Sequence, residues 1–540
     1  MKQYLKKFEE QVHSRAGQPA LCDFRGSSYT YGEVAALIAK LHLLFEAAGI
    51  RKGDKIALMA KESARWGIFF LGVNSYEGII VPLLPNFTPE GATHLINHSD
   101  SIVLVADPDI WEKLDPGNLP QIRAVLSAKE ESLLWGDEAF QAAWAKRDAL
   151  FSEKYPEGFD PQCVSYHDHA DQLAVINYTS GTSGDPKGVM LSFEAFSDIV
   201  QYCQDHIYNS PEELVSMLPL AHIYGLVMEF LYPCCTGFTI HFLGKAPSPS
   251  LLMEAMQMVK PTLVITVPLV MEKLNKFIVQ PLLDSISGKV LSSFPGIRLS
   301  FYKTVGEKVI SNLGGRIKAI IIGGAPLDWK VESIFRKIGL PYAVGYGMTE
   351  ASPLLSFVMP ENFVAGSCGK PVHEIRIVSS DPERVPGEIQ SRGPNLTMGY
   401  YKNPEADASA WTPDGWFRTG DLGVMDEEGN LFIRGRIKAL ILSASGQNIY
   451  PEEVEQVLSR DPVVQESLVL QRDDKIVALV YARPEVLAKI DTDGQSQFLL
   501  GIRDRANKHL PPFSRIFYVE LMDVPFERTA KGNIKRQLYQ

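Results

Sequence analysis

Cysteine is scarce in this sequence, and its spacing excludes the common cysteine-based metal sites. Among 540 residues there are six cysteines, and no two of them form a CxxC pair or show the spacing of a zinc site. They are Cys22, Cys163, Cys203, Cys234, Cys235 and Cys368. We therefore expect no cysteine-bound zinc, and a reducing cytosol is the expected compartment.

Long apolar runs are also missing. The most apolar stretch, Trp66 to Leu84, is interrupted by Asn74, Ser75 and Glu77, whereas a membrane-spanning helix needs about 18 consecutive apolar residues or more. The first segment, Met1 to Gly17, is too polar for a signal peptide. We therefore expect no membrane span, although peripheral contact with the inner face of a membrane remains open.

An excess of positive charge is absent, which argues against nucleic acid as the main partner. The formal net charge is -11, and a nucleic-acid-binding surface needs basic residues to neutralise phosphates. The sequence also lacks internal repeats and low-complexity blocks. Its 540 residues exceed what one hydrophobic core normally organises, so at least two domains are expected.

Short β-rich runs alternate with longer segments of helical pattern, which predicts layered α/β structure with parallel sheets. The predicted strands include Lys55–Met59, Ser101–Ala106, Leu263–Val267 and Ile317–Ile322, and the predicted helices include Tyr31–Ala48 and Ser250–Val259. After Gly387, short strands and turn residues predict a compact β-rich subdomain.

A different pattern begins at Lys438 and predicts a small α+β domain. Its predicted elements are a helix at Pro451–Ser459, strands around Glu466–Leu470 and Lys475–Tyr481, and a helix near Gln497–Lys508. We place the boundary within Arg434–Lys438, giving an N-terminal domain of residues 1–435 and a C-terminal domain of residues 436–540. The predicted fold class is α/β, with a large N-terminal domain of layered α/β subdomains plus the β-rich subdomain.

One loop has the composition of a phosphate-binding loop. Residues 177–190 read Asn-Tyr-Thr-Ser-Gly-Thr-Ser-Gly-Asp-Pro-Lys-Gly-Val-Met and follow the apolar run Leu173 to Ile176. Small residues let backbone N–H groups turn inward, and the hydroxyls add further donors. The pattern is not Walker A, because no glycine immediately precedes Lys187 and no Ser or Thr follows it. We therefore expect a nucleoside triphosphate bound by another scheme.

Five motifs together resemble those of adenylate-forming enzymes, the superfamily of acyl-CoA synthetases, luciferases and peptide-synthetase adenylation domains. In chain order they are Tyr178–Val189, Pro219–His222, Gly345–Glu350, Thr419–Asp421 and Gly435–Lys438. Their order and spacing over nearly the whole chain carry the resemblance. The reaction it implies joins an acid to ATP as an acyl-adenylate, releases pyrophosphate, and passes the acyl group to a thiol.

The resemblance assigns residues to the phosphates. A carboxylate and ATP repel each other, so the site must supply donors and a divalent cation. Glu350 would bind Mg²⁺ as its protein ligand, and Thr349 would contact the α-phosphate. The β- and γ-phosphates would lie against Thr179, Ser180, Gly181, Thr182 and Lys187, in the loop that also contains Ser183 and Gly184.

The resemblance also assigns an adenosine site and an acyl site. Asp421 would accept the ribose hydroxyls, with Arg436 as a second ribose or phosphate contact, and His222 would position the acyl group beside the attacking thiol. The base would approach the glycine-rich turn and stack on Tyr346; the residues concerned are Gly323, Gly324, Ala325, Pro326, Gly345, Tyr346 and Gly347.

The acid and the domain movement are further expectations from the resemblance. Residues Leu263–Leu274 and Gly345–Pro353 are similar to the corresponding regions of long-chain fatty acyl-CoA synthetases, which makes a fatty acid the expected substrate. The small C-terminal domain is expected to be mobile, rotating between two half-reactions about Lys438. In the second state, Gly446 would lie close to the pantetheine arm of CoA.

One position departs from the family pattern. The terminal motif reads Thr529-Ala-Lys-Gly532-Asn533-Ile-Lys-Arg536, so Asn533 stands where the adenylation lysine is expected. Lys531 or Lys535 could replace it, but two residues along an extended segment move the Cα by about 6.6 Å. We therefore expect weaker adenylation, slowed by roughly 10²–10³-fold.

Three functions remain open at this point. The first is a fatty acid–CoA ligase that uses Mg²⁺, ATP and CoA; the second is a fatty acyl-AMP ligase that loads an acyl carrier protein. The third is a non-catalytic acyl- or nucleotide-binding homologue, which Asn533 makes conceivable. Chain length of the acid, the thiol acceptor and the oligomeric state are not determined by the sequence.

Overall fold

The computed structural model describes residues 2–167, 169–179, 186–245, 248–285, 295–442, 448–473, 475–487, 494–528 and 534–539. The chain packs into two compact units: unit 1 comprises residues 1–373 and 392–411, and unit 2 comprises residues 374–391 and 412–540. This division groups segments by packing alone, so the sequence-based boundary after residue 435 stays a prediction.

The strands are short and run along the whole chain. They are β1 Pro19–Asp23, β2 Ser28–Thr30, β3 Lys55–Met59, β4 Ile79–Pro82, β5 Ser101–Ala106, β6 Ala124–Ser127, β7 Leu133–Gly136, β8 Leu173–Thr179, β9 Lys187–Ser192, β10 Glu213–Ser216, β11 Thr239–Phe242, β12 Leu263–Thr266, β13 Ala319–Ile322, β14 Tyr342–Val344, β15 Tyr346–Gly347, β16 Leu354–Phe357, β17 Lys370–Pro371, β18 Glu374–Val378, β19 Gly387–Arg392, β20 Gly399–Tyr400, β21 Phe417–Met425, β22 Leu431–Arg436, β23 Ile441–Leu442, β24 Asn448–Ile449, β25 Val464–Arg472, β26 Lys475–Ala482 and β27 Tyr518–Leu521.

The α-helices alternate with these strands. They are α1 Tyr4–Arg15, α2 Tyr31–Ala47, α3 Ala64–Ser75, α4 Pro89–His98, α5 Pro108–Trp111, α6 Glu138–Lys154, α7 Phe193–His206, α8 Ile223–Gly225, α9 Tyr232–Thr236, α10 Pro249–Val259, α11 Pro268–Leu274, α12 Gln280–Asp284, α13 Pro295–Asn312, α14 Trp329–Ile338, α15 Pro404–Ala410, α16 Pro451–Leu458, α17 Pro484–Leu487 and α18 Gln495–Asn507. Two π-helical segments, Leu226–Leu231 and Asn275–Val279, interrupt helical runs in unit 1.

An eight-stranded sheet organises unit 1, with the order β20-β9-β8-β4-β3-β5-β6-β7. Its centre is parallel, from β8 through β6, and its two edges are antiparallel. The central strands are mainly apolar because both faces of a parallel sheet are covered, and their polar residues include Lys55, Ser101 and Asn177. Their side chains pack with α4 and α5 into a core that includes Leu104 and Val125.

Unit 1 contains two further sheets, and the loop that follows β10 in one of them contacts strand β8 of the large sheet through Asn177 and Ala221. One has the order β10-β11-β1-β2, and the other is the parallel sheet β12-β13-β14. In open parallel sheets, ligands bind beyond the carboxyl ends of the strands. A ligand-binding site is therefore expected at the segments that follow β10, β13 and β14.

Unit 2 is built on two antiparallel or mixed sheets. The sheet β18-β19-β21-β22 forms its β-rich part, and β25-β26-β27 forms the sheet of its C-terminal part. The latter sheet packs against α16 and α18 through a core that contains Leu458, Val469 and Ile502.

The predicted α/β class is confirmed, and the predicted strands and helices above are present with small shifts at their ends. For example, α10 begins at Pro249 because the Ser248 side chain accepts a hydrogen bond from the Leu251 amide and caps the helix. Strand β12 ends at Thr266 because Pro268 starts the next helix. In the described ranges no helix combines the length and the apolar character needed to cross a bilayer.

Candidate active site

The predicted phosphate loop joins two paired strands of unit 1. Strands β8 and β9 are antiparallel, and Thr179 is the partner of Lys187 at the end where they separate. Both side chains are half-buried. Five predicted loop residues lie outside the described residues: Ser180, Gly181, Thr182, Ser183 and Gly184. The structure therefore fixes the two ends of the loop, at the positions of the first hydroxyl and the lysine.

Tyr400 connects the predicted phosphate lysine with the predicted metal ligand. Its hydroxyl donates to Glu350 Oε1 at 2.9 Å, and Lys187 Nζ lies 4.9 Å from the centre of its ring. Tyr400 is only 7% exposed and Glu350 9%. Burial, and then the neighbouring carboxylate, raises the pKa of Tyr400 above its ordinary value. The phenol therefore stays protonated and serves as a donor to Glu350.

Backbone contacts hold the two acidic-motif residues in place. Thr349 and Glu350 lie in the short 3₁₀-helix Thr349–Ala351, and the Glu350 carbonyl accepts a hydrogen bond from the Thr397 amide at 2.8 Å. Gly347 precedes this turn, and a Cβ there would lie 1.8 Å from the Pro353 carbonyl oxygen. Glycine is therefore required for the close approach of two chain segments.

The segment that carries His222 is tied to the strand that leads into the phosphate loop. Asn177, in β8, is buried and donates from Nδ2 to the Ala221 carbonyl at 2.9 Å. His222 is half-buried and precedes α8, with its amide hydrogen-bonded to the Pro219 carbonyl at 3.0 Å. Asn177 stands two residues before Thr179, so this bond connects the segment of His222 to the strand that leads into the predicted phosphate loop.

The buried Glu229 and the partly buried Glu62 both bond to the segment that leads to His222. Glu229, in the π-helical segment, accepts on Oε2 from Ser216 Oγ at 3.0 Å and from the amides of Met217 at 3.0 Å and Leu218 at 2.9 Å. Burial raises the pKa of Glu229 to about 8 and also raises the pKa of Glu62, which is bonded by the Leu220 amide. Glu229 thus fixes the end of β10, where the His222 loop begins.

The predicted adenosine turn follows β13. Gly323 is covered by the ring of Tyr224, and an added Cβ would lie 2.9 Å from that ring. The Tyr224 hydroxyl donates to the Ile321 carbonyl at 3.1 Å. The next residues, Gly324, Ala325 and Pro326, are exposed, with Gly324 at a φ of +84°. The turn is therefore accessible on one side and joined to the His222 segment through Tyr224 on the other.

The neighbouring strand β14 ends beside this turn. The Gly345 amide donates to the Ile322 carbonyl at 2.9 Å, which holds the start of the second glycine-rich motif against β13. Tyr346 follows in β15 and is half-buried, and Gly347 is exposed. Unit 1 therefore brings the phosphate-loop ends, the acidic motif, the His222 segment and the adenosine turn into one connected set of contacts.

The remaining predicted residues belong to unit 2. Asp421 and Arg436 face each other across β21 and β22, and Arg436 Nε lies 3.1 Å from Asp421 Oδ1. Lys438 is in the 3₁₀-helix Ile437–Ala439 that follows β22. Lys535 forms an ion pair with Glu527 at 3.4 Å. Gly446, Lys531 and Asn533 lie outside the described residues.

A divalent cation would depend on Glu350 and on ligand oxygens. Within the portion of the chain that is described, no group of three or more His, Cys, Asp or Glu side chains could hold a metal. Mg²⁺ is commonly bound by one or two carboxylates together with substrate phosphates. A Glu350 carboxylate that accepts one bond on Oε1 keeps lone pairs for such a cation, so the residues present fit it.

Sequence reasoning missed Tyr400, Asn177 and Glu229. Glu229 carried a usable signal, since it is the single acidic residue in the apolar stretch 226–242 and a buried acid requires donors. Asn177 and Tyr400 carried none, because their partners are distant in the sequence.

Comparisons with known proteins identify the family of this chain. The model of the AMP-binding enzyme family matches residues 8–401, and that of the AMP-binding enzyme C-terminal domain matches residues 438–540. The chain is 27% identical over 499 residues to the long-chain-fatty-acid–CoA ligase FadD15 of Mycobacterium bovis, covering 86% of this chain and 79% of the relative.

Two other similarities are informative. The chain is 25% identical over 531 residues to the chloroplastic long-chain-fatty-acid–[acyl-carrier-protein] ligase AEE15 of Arabidopsis thaliana, covering 84% of this chain and 72% of the relative. It also matches the structure of o-succinylbenzoate coenzyme A synthetase from Bacillus subtilis with ATP and magnesium ion, with a TM-score of 0.74, 22% identity and 99% coverage of both chains. The family models together span both ends of the chain, and this protein therefore belongs to the AMP-binding enzyme family, the adenylate-forming superfamily of ligases.

Proposed function

We propose that this enzyme activates a fatty acid with ATP, forming an acyl-adenylate and pyrophosphate, and then transfers the acyl group to CoA. One observation carries the proposal: Tyr400 contacts both Lys187 and Glu350, and Asn177 ties the His222 segment to the strand that ends at Thr179. These contacts place the Lys187 ammonium, the Glu350 carboxylate, the Tyr400 hydroxyl and the segment that carries His222 around strands β8 and β9.

The roles follow from the charges. The fatty acid carboxylate and the triphosphate are both anions, so Lys187 supplies positive charge beside the β- and γ-phosphates. When Mg²⁺ is bound, Glu350 would hold it against phosphate oxygens and the cation would offset charge on the departing pyrophosphate. The Tyr400 hydroxyl keeps the Glu350 carboxylate in one orientation. Thr349, buried beside Glu350, would face the α-phosphate.

His222 is proposed to position the acyl group, and Asp421 is proposed to contact the ribose. His222 sits at the start of a helical run whose preceding loop is fixed by Glu229 and Asn177. Asp421 would accept the ribose hydroxyls, since its buried carboxylate has two oxygens with about four lone-pair positions between them.

The acid substrate is inferred from the names of the relatives and from the free energy of burying an alkyl chain, which distinguishes long acids from short ones. The Mycobacterium bovis relative is named for a long-chain fatty acid, whereas the Bacillus subtilis structure belongs to a synthetase for o-succinylbenzoate. The fold is thus compatible with different acids. Burial of each methylene contributes about 0.8 kcal/mol, so an apolar pocket would favour long acids over short ones.

The thiol acceptor has two candidates, because the Arabidopsis thaliana relative is named for acyl carrier protein. The test is to measure AMP release with acids of graded length, with CoA or acyl carrier protein as acceptor. We expect AMP release that rises with chain length and thioester on CoA. Thioester on the carrier protein alone would favour the second function, and ATP binding without AMP release from any acid would leave the non-catalytic alternative.

A further inference from the structure

The most exposed apolar side chains of unit 1 are concentrated in the helices between β11 and β13. Among the described residues of this unit, the four large apolar side chains with the greatest exposed fraction are Leu299 at 79%, Met258 at 63%, Leu269 at 59% and Phe277 at 56%. They belong to α10, α11, the π-helical segment Asn275–Val279 and α13. Single exposed apolar residues are common, but a concentration of them marks an interaction surface.

Two of these side chains lie on one outward stripe. Helix α11, the π-helical segment and α12 form an unbroken helical run over residues 268–284. Leu269, Lys273, Lys276 and Phe277 are all exposed along it, and their intervals of four, three and one place them on the same side of a helix. The opposite side is buried in unit 1 and contains Met271, Leu274 and Val279. The stripe therefore presents two lysines between two apolar side chains.

Helix α13 adds a second exposed strip. It packs against the π-helical segment, and it exposes Leu299 and Lys303, four residues apart. Its own buried side includes Val305 and Val309. We define the basic apolar face as six exposed side chains on these two helical runs: Leu269, Lys273, Lys276, Phe277, Leu299 and Lys303. Residues 286–294, which join the two runs, lie outside the described residues and are not part of the face.

This face is rich in positive charge, although the chain as a whole has a formal net charge of -11. The described residues of α11 to α13 contain five exposed cations and three acids. The cations are Lys273, Lys276, Arg298, Lys303 and Lys308, and the acids are Glu272, Asp284 and Glu307. Within the described ranges none of these five cations forms an ion pair, whereas Arg316 and Lys318, just beyond α13, lie 3.9 Å and 3.6 Å from Glu212. The cations of the face are therefore available to an anionic partner.

An anionic lipid bilayer matches both properties of the face. A bilayer presents phosphates at its surface and hydrocarbon just below them, and a lysine can reach a phosphate while its alkyl stem stays against apolar groups. Lys276 lies in this way beside an exposed ring, with its Nζ 5.7 Å from the centre of Phe277. A second copy of the chain matches less well, because a symmetric contact would bring the same cations together.

We propose that the basic apolar face binds the surface of a bilayer that contains anionic lipid. The three apolar side chains of the face would enter the boundary between headgroups and acyl chains, and its three lysines would contact lipid phosphates. Such binding is peripheral and needs no acid, ATP or CoA. The proposal therefore does not depend on the proposed function.

The test measures flotation of the full-length protein with vesicles, in the absence of acid and nucleotide. Vesicles of phosphatidylcholine and phosphatidylglycerol in a three-to-one ratio are anionic, and vesicles of phosphatidylcholine alone have no net charge. We expect a partition coefficient at least about ten-fold higher on the anionic vesicles. It should fall as salt is raised, because screening weakens the attraction between lysines and phosphates. Equal binding to both vesicles, or binding to neither, would overturn the proposal.

The charge of the face is tested by a double substitution with a matched control. Lys273→Gln combined with Lys276→Gln should lower partitioning onto the anionic vesicles about ten-fold. Lys113→Gln combined with Lys146→Gln removes the same charge from two exposed lysines elsewhere in unit 1, and should lower it less than about two-fold. An equal loss in the two double variants would contradict the proposal, because only the total charge would then matter.

The apolar part of the face is tested separately. Phe277→Ser and Leu299→Ser should each lower partitioning at least about five-fold, because less apolar surface is buried in the bilayer. Val364→Ser, at an exposed apolar residue of unit 1 outside the face, is the control and should leave partitioning unchanged. Unchanged partitioning in both Phe277→Ser and Leu299→Ser would exclude insertion of the face.

Hydrogen exchange of the unmodified protein locates the contact without any substitution. Anionic vesicles should slow amide exchange in peptides from α11 to α13, and should leave peptides from α6 unchanged. Protection confined to helices outside this face would overturn the proposal. Sedimentation equilibrium without lipid gives the remaining outcome: a dimer that Phe277→Ser dissociates would assign the face to a second copy of the chain and would also overturn it.

Discussion

The candidate residues of unit 1 and unit 2 are held in physically different ways. In unit 1, Glu350 and Tyr400 are buried and hydrogen-bonded to each other. In unit 2, the Arg436 side chain is 64% exposed in its ion pair with Asp421, and Lys535 pairs with Glu527 at the surface. An exposed ion pair such as Lys535–Glu527 contributes about 0–1 kcal/mol, so Lys535 can change partners at little cost. The Asp421 carboxylate is buried, and only its partner Arg436 is largely exposed. Unit 1 therefore holds its candidate carboxylate with a buried hydrogen bond, whereas unit 2 holds its cations in ion pairs that are at least partly exposed.

The largest expected effect tests the buried carboxylate of unit 1. Glu350→Gln should lower the rate of acid-dependent ATP–pyrophosphate exchange by about 10²–10³-fold, because a neutral amide oxygen binds a divalent cation much more weakly than a carboxylate does. The Mg²⁺ concentration for half-maximal rate should also rise. Glu361→Gln, at an exposed acid in the 3₁₀-helix Pro360–Asn362, is the control. A Glu350→Gln enzyme with the wild-type Mg²⁺ dependence would remove Glu350 from the proposed site.

The second prediction tests the departure at the C-terminal end of unit 2. Asn533→Lys should raise the exchange rate by about 10²-fold, since it adds a cation at the position where the family has a lysine. Lys531→Ala and Lys535→Ala measure whether either lysine already supplies that charge. If both alanine substitutions leave the exchange rate unchanged, neither lysine replaces the missing one. If Asn533→Lys also leaves the exchange rate unchanged, the residue at position 533 does not limit adenylation.

A smaller effect is expected for the residue that supports Glu350. Tyr400→Phe removes one hydrogen bond to a carboxylate, worth about 1.5–3 kcal/mol, and should lower the exchange rate about ten-fold or somewhat more. Tyr401→Phe, which removes a hydroxyl bonded to Asp100 at 2.7 Å, is the matched control. In the Glu350→Gln background, Tyr400→Phe should add little, because both changes act on one carboxylate. Additive losses would show that Tyr400 acts independently of Glu350.

The last prediction concerns stability and not rate, and it is made for Glu229. Its folded pKa of about 8 lies above the ordinary value of 4.5. Between these two pH values the Glu229 carboxyl is therefore protonated in the native state and ionised in the unfolded chain. The free energy of unfolding should therefore decrease as pH rises from about 5 to 8, by at most about 1.4 kcal/mol per pH unit for this group. Two other titratable groups face this carboxylate. The charge of Glu62 raises the pKa of Glu229, and the charge of Glu229 raises the pKa of Tyr224.

Glu229→Gln should flatten this pH dependence, because an amide keeps the acceptor for Ser216, Met217 and Leu218 without a titrating charge. Denaturant unfolding at pH 5 and pH 8 measures the difference. Glu194→Gln, at an exposed acid of α7, should leave the slope unchanged. An unaltered slope in Glu229→Gln would mean that Glu229 is charged in both states.

Sequence patterns predicted the strands of unit 1 closely where one face or both faces are buried. Lys55–Met59 and Ser101–Ala106 were predicted with their observed ends, because short apolar runs bounded by turn residues specify buried strands. Helix ends moved by a residue or more where capping side chains decided them, as at Ser248. The site assignments came from motif order, and they stay predictions to be tested by the substitutions above.

The sequence by itself determined the α/β class, the order of motifs and the family, because these depend on periodicity and on short local patterns. Only the tertiary structure decided which side chains support those motifs. Asn177 bonds to Ala221, and Tyr400 bonds to Glu350. Some of these partners lie tens of residues apart, and hydrogen-bond geometry over such separations is set by how the sheets and helices pack rather than by local sequence.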